Sequence, residues 1–108
     1  MGKLNVLLCC GAGLSSGFLA QRTRAEAKKQ KIELQIEARS ESQVAQYLDT
    51  TDILLLGPHF SSQLPNYQNL AKLHNFKVAV IPQKVYGAMD AKGMLEMIRQ
   101  IQTEEEIK

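Results

Sequence analysis

Residues 3–17 read KLNVLLCCGAGLSSG, and they indicate the fold more clearly than any other segment. The nearly continuous apolar run that ends at Cys10 predicts a strand covered on both faces, as in the middle of a parallel sheet. Glycines and serines follow at once, and they predict a turn and then a helix that begins near Ser16 or Gly17 and ends at about Gln30. A buried strand, a glycine-rich turn and a helix, in this order, indicate a β-α unit.

Three further strands are predicted. Residues 32–37 alternate between apolar and polar side chains, which is typical of a strand that is less buried and nearer a sheet edge. Residues 52–56 predict a central strand, because residues 53–56 form another continuous apolar run, which Gly57 and Pro58 close. Residues 77–81 predict a fourth strand, which ends before a proline.

Helices are predicted after these strands. Ser40 and Gln43 fit a capping box at the start of a short helix. Residues 60–73 predict a second helix that tolerates Pro65 near its beginning, and a last helix begins near Asp90. No neighbouring strands carry a hairpin signal, so the connections are right-handed crossovers between parallel strands. We therefore predict an α/β fold: a four-stranded parallel sheet of flavodoxin-like order 2-1-3-4, with helices on both faces.

The composition fits one globular domain that spans residues 1–108. Of the 108 residues, 44% are hydrophobic and 22% are charged, which excludes a disordered chain and a multidomain enzyme. The net charge of +2 is too small for a dedicated nucleic-acid binder. No segment resembles a signal peptide or reaches membrane-spanning length, so we expect a cytoplasmic protein without direct membrane insertion.

Basic side chains are concentrated in the first third of the chain. Residues 1–31 hold six lysines and arginines but a single acidic residue. Most of them, including Arg22, Arg24 and Lys28, lie on one side of the predicted first helix. Such a face is most often solvated, and its alternative role is docking to an acidic partner.

The turn after the first strand is able to activate a thiol and to bind a phosphoryl group. Its unpaired N–H groups and the positive end of the helix dipole stabilise a thiolate at Cys10, which is the nucleophilic form. The same N–H groups can hold phosphate oxygens. Because neighbours on a strand face opposite sides, we expect the adjacent Cys9 to be a buried structural residue.

Turns of this general kind occur in proteins of four functions, and each function requires particular residues. A dinucleotide site needs Gly or Ala where Ser16 stands, and a Walker A turn needs a Gly-Lys pair that is missing here. A small cysteine phosphatase needs, at the position of Ser16, an arginine that clamps the phosphoryl oxygens. The missing arginine predicts slow hydrolysis and favours a phosphoryl carrier, with the phosphatase and a nucleotide-binding module as alternatives.

Three separated motifs resemble one family. Residues 7–16 (LLCCGAGLSS), 55–58 (LLGP) and 85–90 (VYGAMD) are similar to segments of the IIB components of the bacterial sugar phosphotransferase system, lactose/cellobiose type. The first motif resembles the phosphocysteine loop of that family, and the resemblance covers essentially the whole chain. Leu14 stands where the family commonly has Met, and Ser16-Gly17 stands where it commonly has Thr-Ser.

The resemblance implies a phosphotransferase that works in a relay. A phosphohistidine of a IIA component donates to Cys10, and the phosphocysteine donates to a sugar bound by the membrane IIC component. The implied phosphate-binding residues are Gly11, Ala12, Gly13, Leu14, Ser15 and Ser16. No cofactor, metal or nucleic acid is implied. We expect a monomer, and both lactose and cellobiose-like β-glucosides remain open as the sugar.

Three further side chains follow strands that end at the same edge of the predicted sheet. His59 comes after Gly57-Pro58, and Tyr86 and Asp90 come after the fourth strand. We predict that His59 is an ordinary loop histidine and that Asp90 is at least as well explained as the N-cap of the last helix. The sequence leaves open whether Tyr86 contributes to the site.

Overall fold

The computed structural model describes residues 4–10 and 14–107, and side chains at 4–9, 17–40 and 42–102. Strands and helices alternate along the described residues in this order: β1 (Leu4–Cys10), α1 (Leu14–Lys29), β2 (Leu34–Ser40), α2 (Glu41–Val44), β3 (Ile53–Leu56), α3 (Leu64–His74), β4 (Lys77–Val80), α4 (Gln83–Gly87) and α5 (Ala91–Ile107). Two 3₁₀ segments, Ala45–Thr50 and Pro58–Gln63, follow α2 and precede α3.

The described strands form one parallel sheet of order β2-β1-β3-β4, which confirms the predicted topology. The central strand β1 pairs with β2 along its whole length, from Leu4 opposite Leu34 onwards. On its other side β1 pairs with β3, from Val6 opposite Ile53 onwards. The strand β2 therefore lies at an edge, as its alternating sequence predicts.

Helices cover both faces of this sheet. Successive side chains of a strand point to opposite faces, so β1 and β3 each contribute to two apolar layers. The layer that we call the α1/α5 face includes Val6, Leu8, Ile53, Leu55, Leu19, Met94 and Ile98. The layer that we call the α3 face includes Leu7, Cys9, Leu54, Leu56, Val44, Tyr67 and Phe76. Each buried aliphatic side chain contributes about 1.5–3 kcal/mol through removal from water.

The strand β2 begins at Leu34, two residues later than predicted, because Ile32, the first of the alternating residues, belongs to the end of α1. Lys31 is left-handed, with φ 62°. Its N–H donates to Lys28 O at 3.1 Å, and the N–H of Ile32 donates to Ala27 O at 2.8 Å. These two bonds form a Schellman motif, in which the residue after the left-handed one packs back on the helix. Ile32 therefore closes α1 instead of opening the strand.

The helices after β2 and β3 also differ from the prediction. Ser40 occupies the N-cap position of α2 without a cap bond from its side chain, and its Oγ instead donates to Gln43 Oε1 at 3.4 Å. The predicted capping box is therefore wrong. The predicted helix 60–73 is a 3₁₀ segment up to Gln63, with a non-helical φ of −105° at Phe60, and an α-helix only from Leu64.

Three features of the second half of the chain also bear on the prediction. Pro65 lies in the first turn of α3, where its missing N–H leaves no bond unmade, and this confirms its predicted place. The helix α4 was not predicted, since five residues are too few to show a helical period. The last helix begins at Ala91, directly after Asp90, as expected.

Candidate functional site

The carboxyl ends of β1 and β3 lie side by side. Cys9 pairs with Leu56, and the N–H of Gly57 donates to Cys9 O at 3.0 Å. On the other side of β1, Cys10 pairs with Ser40. The backbone atoms at the ends of β1 and β3 therefore meet, as the predicted strand order 2-1-3-4 requires. The predicted loop residues Gly11, Ala12 and Gly13, and the side chains of Cys10, Leu14, Ser15 and Ser16, lie outside the described residues.

The helix α1 starts at this same edge, two residues earlier than predicted. It begins at Leu14, a strong helix former, and it includes both serines in its first turn. The first turn of α1 contains no acidic side chain. Nothing in that turn therefore neutralises the positive end of the helix dipole beside the end of β1.

Cys9 is a buried structural residue, as predicted. Its exposure is 0%, and its Sγ lies 3.9 Å from the hydroxyl oxygen of Tyr67, inside the α3 face. Tyr67 is itself buried. A side chain in this position does not reach solvent, and the chain has only two cysteines. Any cysteine chemistry at the sheet edge therefore falls to Cys10.

Two aromatic side chains meet at the same edge. The ring centroids of His59 and Tyr86 are 5.7 Å apart, and the angle between the ring planes is 76°, which is an edge-to-face contact. His59 is exposed, and its ring is also 5.3 Å from that of Phe60. The contact joins the segment after β3 to α4. The sequence singles out both residues but does not pair them, because a contact between two separate crossovers leaves no periodic signal.

Asp90 is engaged as the N-cap of α5. Its Oδ1 accepts a hydrogen bond from the N–H of Gly93 at 3.0 Å, which is the usual bond of an N-cap to the third residue of a helix. Gly93 leaves room for this carboxylate, since a Cβ at that position would lie 2.7 Å from Asp90 Oδ2. The N-cap explanation of Asp90 is thus confirmed.

The arginines on α1 bond to other segments of the chain, which the sequence did not predict. Arg22 Nε donates to Met89 O at 3.1 Å. Arg24 donates through Nε and Nη2 to Ile36 O, at 3.3 and 2.8 Å. Neither guanidinium is therefore simply a solvated surface charge. Among the neighbouring basic residues, Lys28, Lys29 and Lys31 are exposed.

A cavity of about 580 Å³ lies at the opposite end of the sheet, beside the first residues of β1, β3 and β4. Its lining includes Leu4, Asp52, Lys72 and Phe76. It is far from the end of β1 and shares no residue with the predicted site. In the part of the chain that the structure describes, no helix is long and apolar enough to cross a membrane.

Comparison with known proteins agrees with this architecture. The family model described as "PTS system, Lactose/Cellobiose specific IIB subunit" matches residues 5–97. The oligo-beta-mannoside-specific EIIB component of Bacillus subtilis (strain 168) is 29% identical over 91 residues, which cover 84% of this chain and 88% of that protein.

Two solved structures are also similar. The cellobiose-specific IIB component from Borrelia burgdorferi has 32% sequence identity and a TM-score of 0.71, over 88% of this chain and 87% of its own. The lactose-specific IIB domain from Streptococcus pneumoniae has a TM-score of 0.80 at 15% identity, over 90% of this chain and 96% of its own, which is a likeness of fold. With the family model matched across all four strands, the chain belongs to the lactose/cellobiose-specific IIB family of the sugar phosphotransferase system, whose members are phosphotransferases of sugar transport.

Proposed function

We propose that this chain carries a phosphoryl group on Cys10 in a sugar phosphotransferase relay. The donor is the phosphohistidine of a IIA component, and the acceptor is a sugar held by a membrane IIC component. Residues 1–108 act as one domain, a monomer in the cytoplasm that docks to each partner in turn. The observation that carries this proposal is the complete burial of the other cysteine, Cys9.

The burial of Cys9 leaves one other thiol, that of Cys10, for a phosphoryl donor. A donor protein has to bring its phosphohistidine into contact with the sulfur, and the α3 face covers the sulfur of Cys9. Cys10 is the last residue of β1, next to the ends of β2 and β3. In parallel α/β sheets, ligands bind beyond the carboxyl ends of the strands, where the strand order reverses. That point lies between β1 and β3 in this chain.

The proposed phosphate site consists of Gly11, Ala12, Gly13, Leu14, Ser15 and Ser16. Its support is the start of α1 at Leu14, where the first N–H groups of a helix have no partner within the helix. Such groups and the helix dipole favour an anion. The 3₁₀ segment that begins at Pro58 opens at the same edge, and its first turn also lacks acidic residues. A phosphoryl group on Cys10 therefore meets no carboxylate from either turn.

The two transfers are ordinary displacements at phosphorus. In the first, the thiolate of Cys10 attacks the phosphoryl group, the P–S bond forms as the P–N bond breaks, and the donor imidazole leaves neutral with the proton already on its other nitrogen. In the second, a sugar hydroxyl attacks, the P–O bond forms as the P–S bond breaks, and the hydroxyl proton passes to solvent. The second transfer regenerates the thiolate of Cys10. Catalysis of both transfers rests on positioning and on stabilisation of charge.

The test is the intact mass of the chain after incubation with a phosphorylated IIA protein of the lactose/cellobiose type. We expect one added phosphoryl group on the wild type and on the control Cys9→Ala, and none on Cys10→Ser. Phosphoryl acceptance by Cys10→Ser at the wild-type rate would overturn the proposal. Loss of the phosphoryl group from the donor with release of inorganic phosphate and no adduct would favour the cysteine phosphatase instead.

The second transfer is tested with membrane vesicles that contain a IIC component. The sugars in the names of the relatives, oligo-β-mannosides, cellobiose and lactose, are the ones to supply. We expect phosphorylated sugar to appear as the phosphoryl group leaves Cys10. Persistence of the phosphorylated chain with every one of these sugars would contradict an acceptor of this class.

A further inference from the structure

The helix α1 carries two arginines that form the same kind of bond to different parts of the molecule. Arg22 donates to the carbonyl of Met89, between α4 and α5. Arg24 donates to the carbonyl of Ile36, in the edge strand β2. Both side chains are exposed, and both bonds are charge-assisted. They differ in the segment that they hold, which makes them a matched pair.

The segment held by Arg22 has a conformation that needs support. Met89 has a left-handed backbone, with φ 52°, a conformation that residues other than glycine rarely adopt. Its N–H donates to Tyr86 O at 3.2 Å, and the N–H of Asp90 donates to Val85 O at 3.0 Å. These bonds close α4 with a Schellman motif. The guanidinium of Arg22 binds the carbonyl of the strained residue itself.

The same segment places Tyr86 at the side of the sheet where the carboxyl ends of β1 and β3 meet, which we call the functional edge. The ring of Tyr86 packs on the α1/α5 face and meets the ring of His59 edge-to-face. His59 follows β3, whose end adjoins that of β1 through the bond between Gly57 and Cys9. A change in the backbone at Met89 therefore moves Tyr86 relative to His59, at the edge where β1 ends in Cys10.

We propose that Arg22 is a positioning residue for phosphoryl transfer: its bond to Met89 holds Tyr86 against His59 beside the end of β1. The proposal rests on the proposed function. Displacement of groups around a reacting centre lowers the rate even where no bond to the substrate is lost, because transfer depends on geometry. Arg24 has no such effect, since it holds the edge strand.

The experiment compares Arg22→Met with Arg24→Met. Both substitutions keep an apolar stem and remove the donors. The first measurement is the NMR signal of the His59 ring protons, which lie in the ring current of Tyr86, with His74 as an internal reference because it pairs with Asp49. We expect Arg22→Met to shift the His59 signals and leave those of His74 in place. We expect Arg24→Met to change neither.

The second measurement is the rate of phosphoryl acceptance from a phosphorylated IIA protein over a range of donor concentrations. We expect Arg22→Met to lower the rate at saturating donor about tenfold with little change in KM, and Arg24→Met to leave it unchanged. Arg22→Lys, which keeps a charged donor, should restore about half of the loss and return the His59 signals towards those of the wild type.

Four results would overturn the proposal: unchanged His59 signals in Arg22→Met, an unchanged rate in Arg22→Met, a rate loss that appears only as a raised KM, or an equal rate loss in Arg24→Met. A wild-type chain that accepts no phosphoryl group would overturn the proposed function as well. A wild type and an Arg22→Met variant that accept it equally fast would overturn the positioning role alone.

Discussion

The α1/α5 face and the α3 face receive similar aliphatic side chains from β3, and they differ in where polar bonds occur. On the α1/α5 face the buried apolar side chains are all non-aromatic, the buried polar bond from Thr23 to Leu19 O stays within α1, and bonds between segments lie at the rim, as between Arg22 and Met89. The α3 face contains a polar contact in its interior, between Cys9 and Tyr67. The α1/α5 face thus has at its rim the bond that we propose to hold Tyr86 beside the end of β1, while the α3 face buries the second thiol, that of Cys9.

The largest expected effect tests whether both faces are equally well packed. Leu54 and Leu55 are neighbours on β3, they point to opposite faces, and each has an exposure of 0%. We expect Leu54→Ala and Leu55→Ala each to lower the free energy of unfolding by about 3 kcal/mol, measured by urea denaturation. A loss below about 1 kcal/mol for either would show that its face collapses around the cavity and is not rigidly packed.

The second prediction concerns the polar contact inside the α3 face. Cys9→Ser places a more strongly hydrated hydroxyl at a site with no exposure, so we expect a loss of about 2 kcal/mol in the free energy of unfolding. Cys9→Ala removes the sulfur without adding a polar group, and we expect a loss of about 1 kcal/mol. Both variants should still accept a phosphoryl group. A Cys9 variant that folds but accepts none would contradict the purely structural role.

The third prediction concerns the rim of the α1/α5 face. A Cβ at position 93 would lie 2.7 Å from Asp90 Oδ2 and 3.2 Å from Val85 Cγ2. We therefore expect Gly93→Ala to displace the N-cap and to lower the free energy of unfolding by about 1.5 kcal/mol. The control is Gly17→Ala in α1, where, among the described residues, no atom outside the local helix backbone and the two chain neighbours lies within 4 Å of the added Cβ.

For that control we expect a gain of about 0.5–1 kcal/mol, because alanine has a higher helix propensity than glycine. Thermal unfolding followed by circular dichroism measures both variants. If Gly93→Ala gains stability as Gly17→Ala does, the capping carboxylate moves aside without loss, and the N-cap at Asp90 contributes little.

The smallest effects compare the ends of the two helices on opposite faces. Lys31 ends α1 and Asn75 ends α3, and both are left-handed, with φ 62° and 61°. Glycine adopts this conformation without strain, and asparagine tolerates it better than lysine does. We expect Lys31→Gly to raise the free energy of unfolding by about 0.7 kcal/mol and Asn75→Gly by about 0.2 kcal/mol. Equal gains would remove the distinction between the two helix ends.

The strand order could be predicted from the sequence because burial leaves a plain pattern. Residues 53–56 are apolar without interruption, and the structure buries every one of them between two layers of helices. The alternation in residues 32–37 placed β2 at an edge, where it lies. The helix ends were harder to predict. Glycine is the usual signal for the left-handed residue that ends a helix, and none of Lys31, Asn75 and Met89 is glycine.

The contacts around the functional edge could not be predicted for a different reason. The bond from Arg22 to Met89 joins residues that are 67 positions apart, and a carbonyl acceptor carries no side-chain signature. The contact between His59 and Tyr86 depends on how two crossovers pack. The sequence did distinguish the two cysteines, because strand alternation next to a glycine turn predicts a buried Cys9.

Chemical labelling of the native thiols before and after phosphorylation tests whether Cys10 carries the phosphoryl group. The wild-type chain is treated briefly with iodoacetamide, and fragment masses identify the modified cysteine. We expect Cys10 to be modified and Cys9 to be spared in the unphosphorylated chain, and neither to be modified after incubation with a phosphorylated IIA protein. Equal modification of Cys10 in the phosphorylated chain, or preferential modification of Cys9, would contradict the claim that Cys10 carries the phosphoryl group.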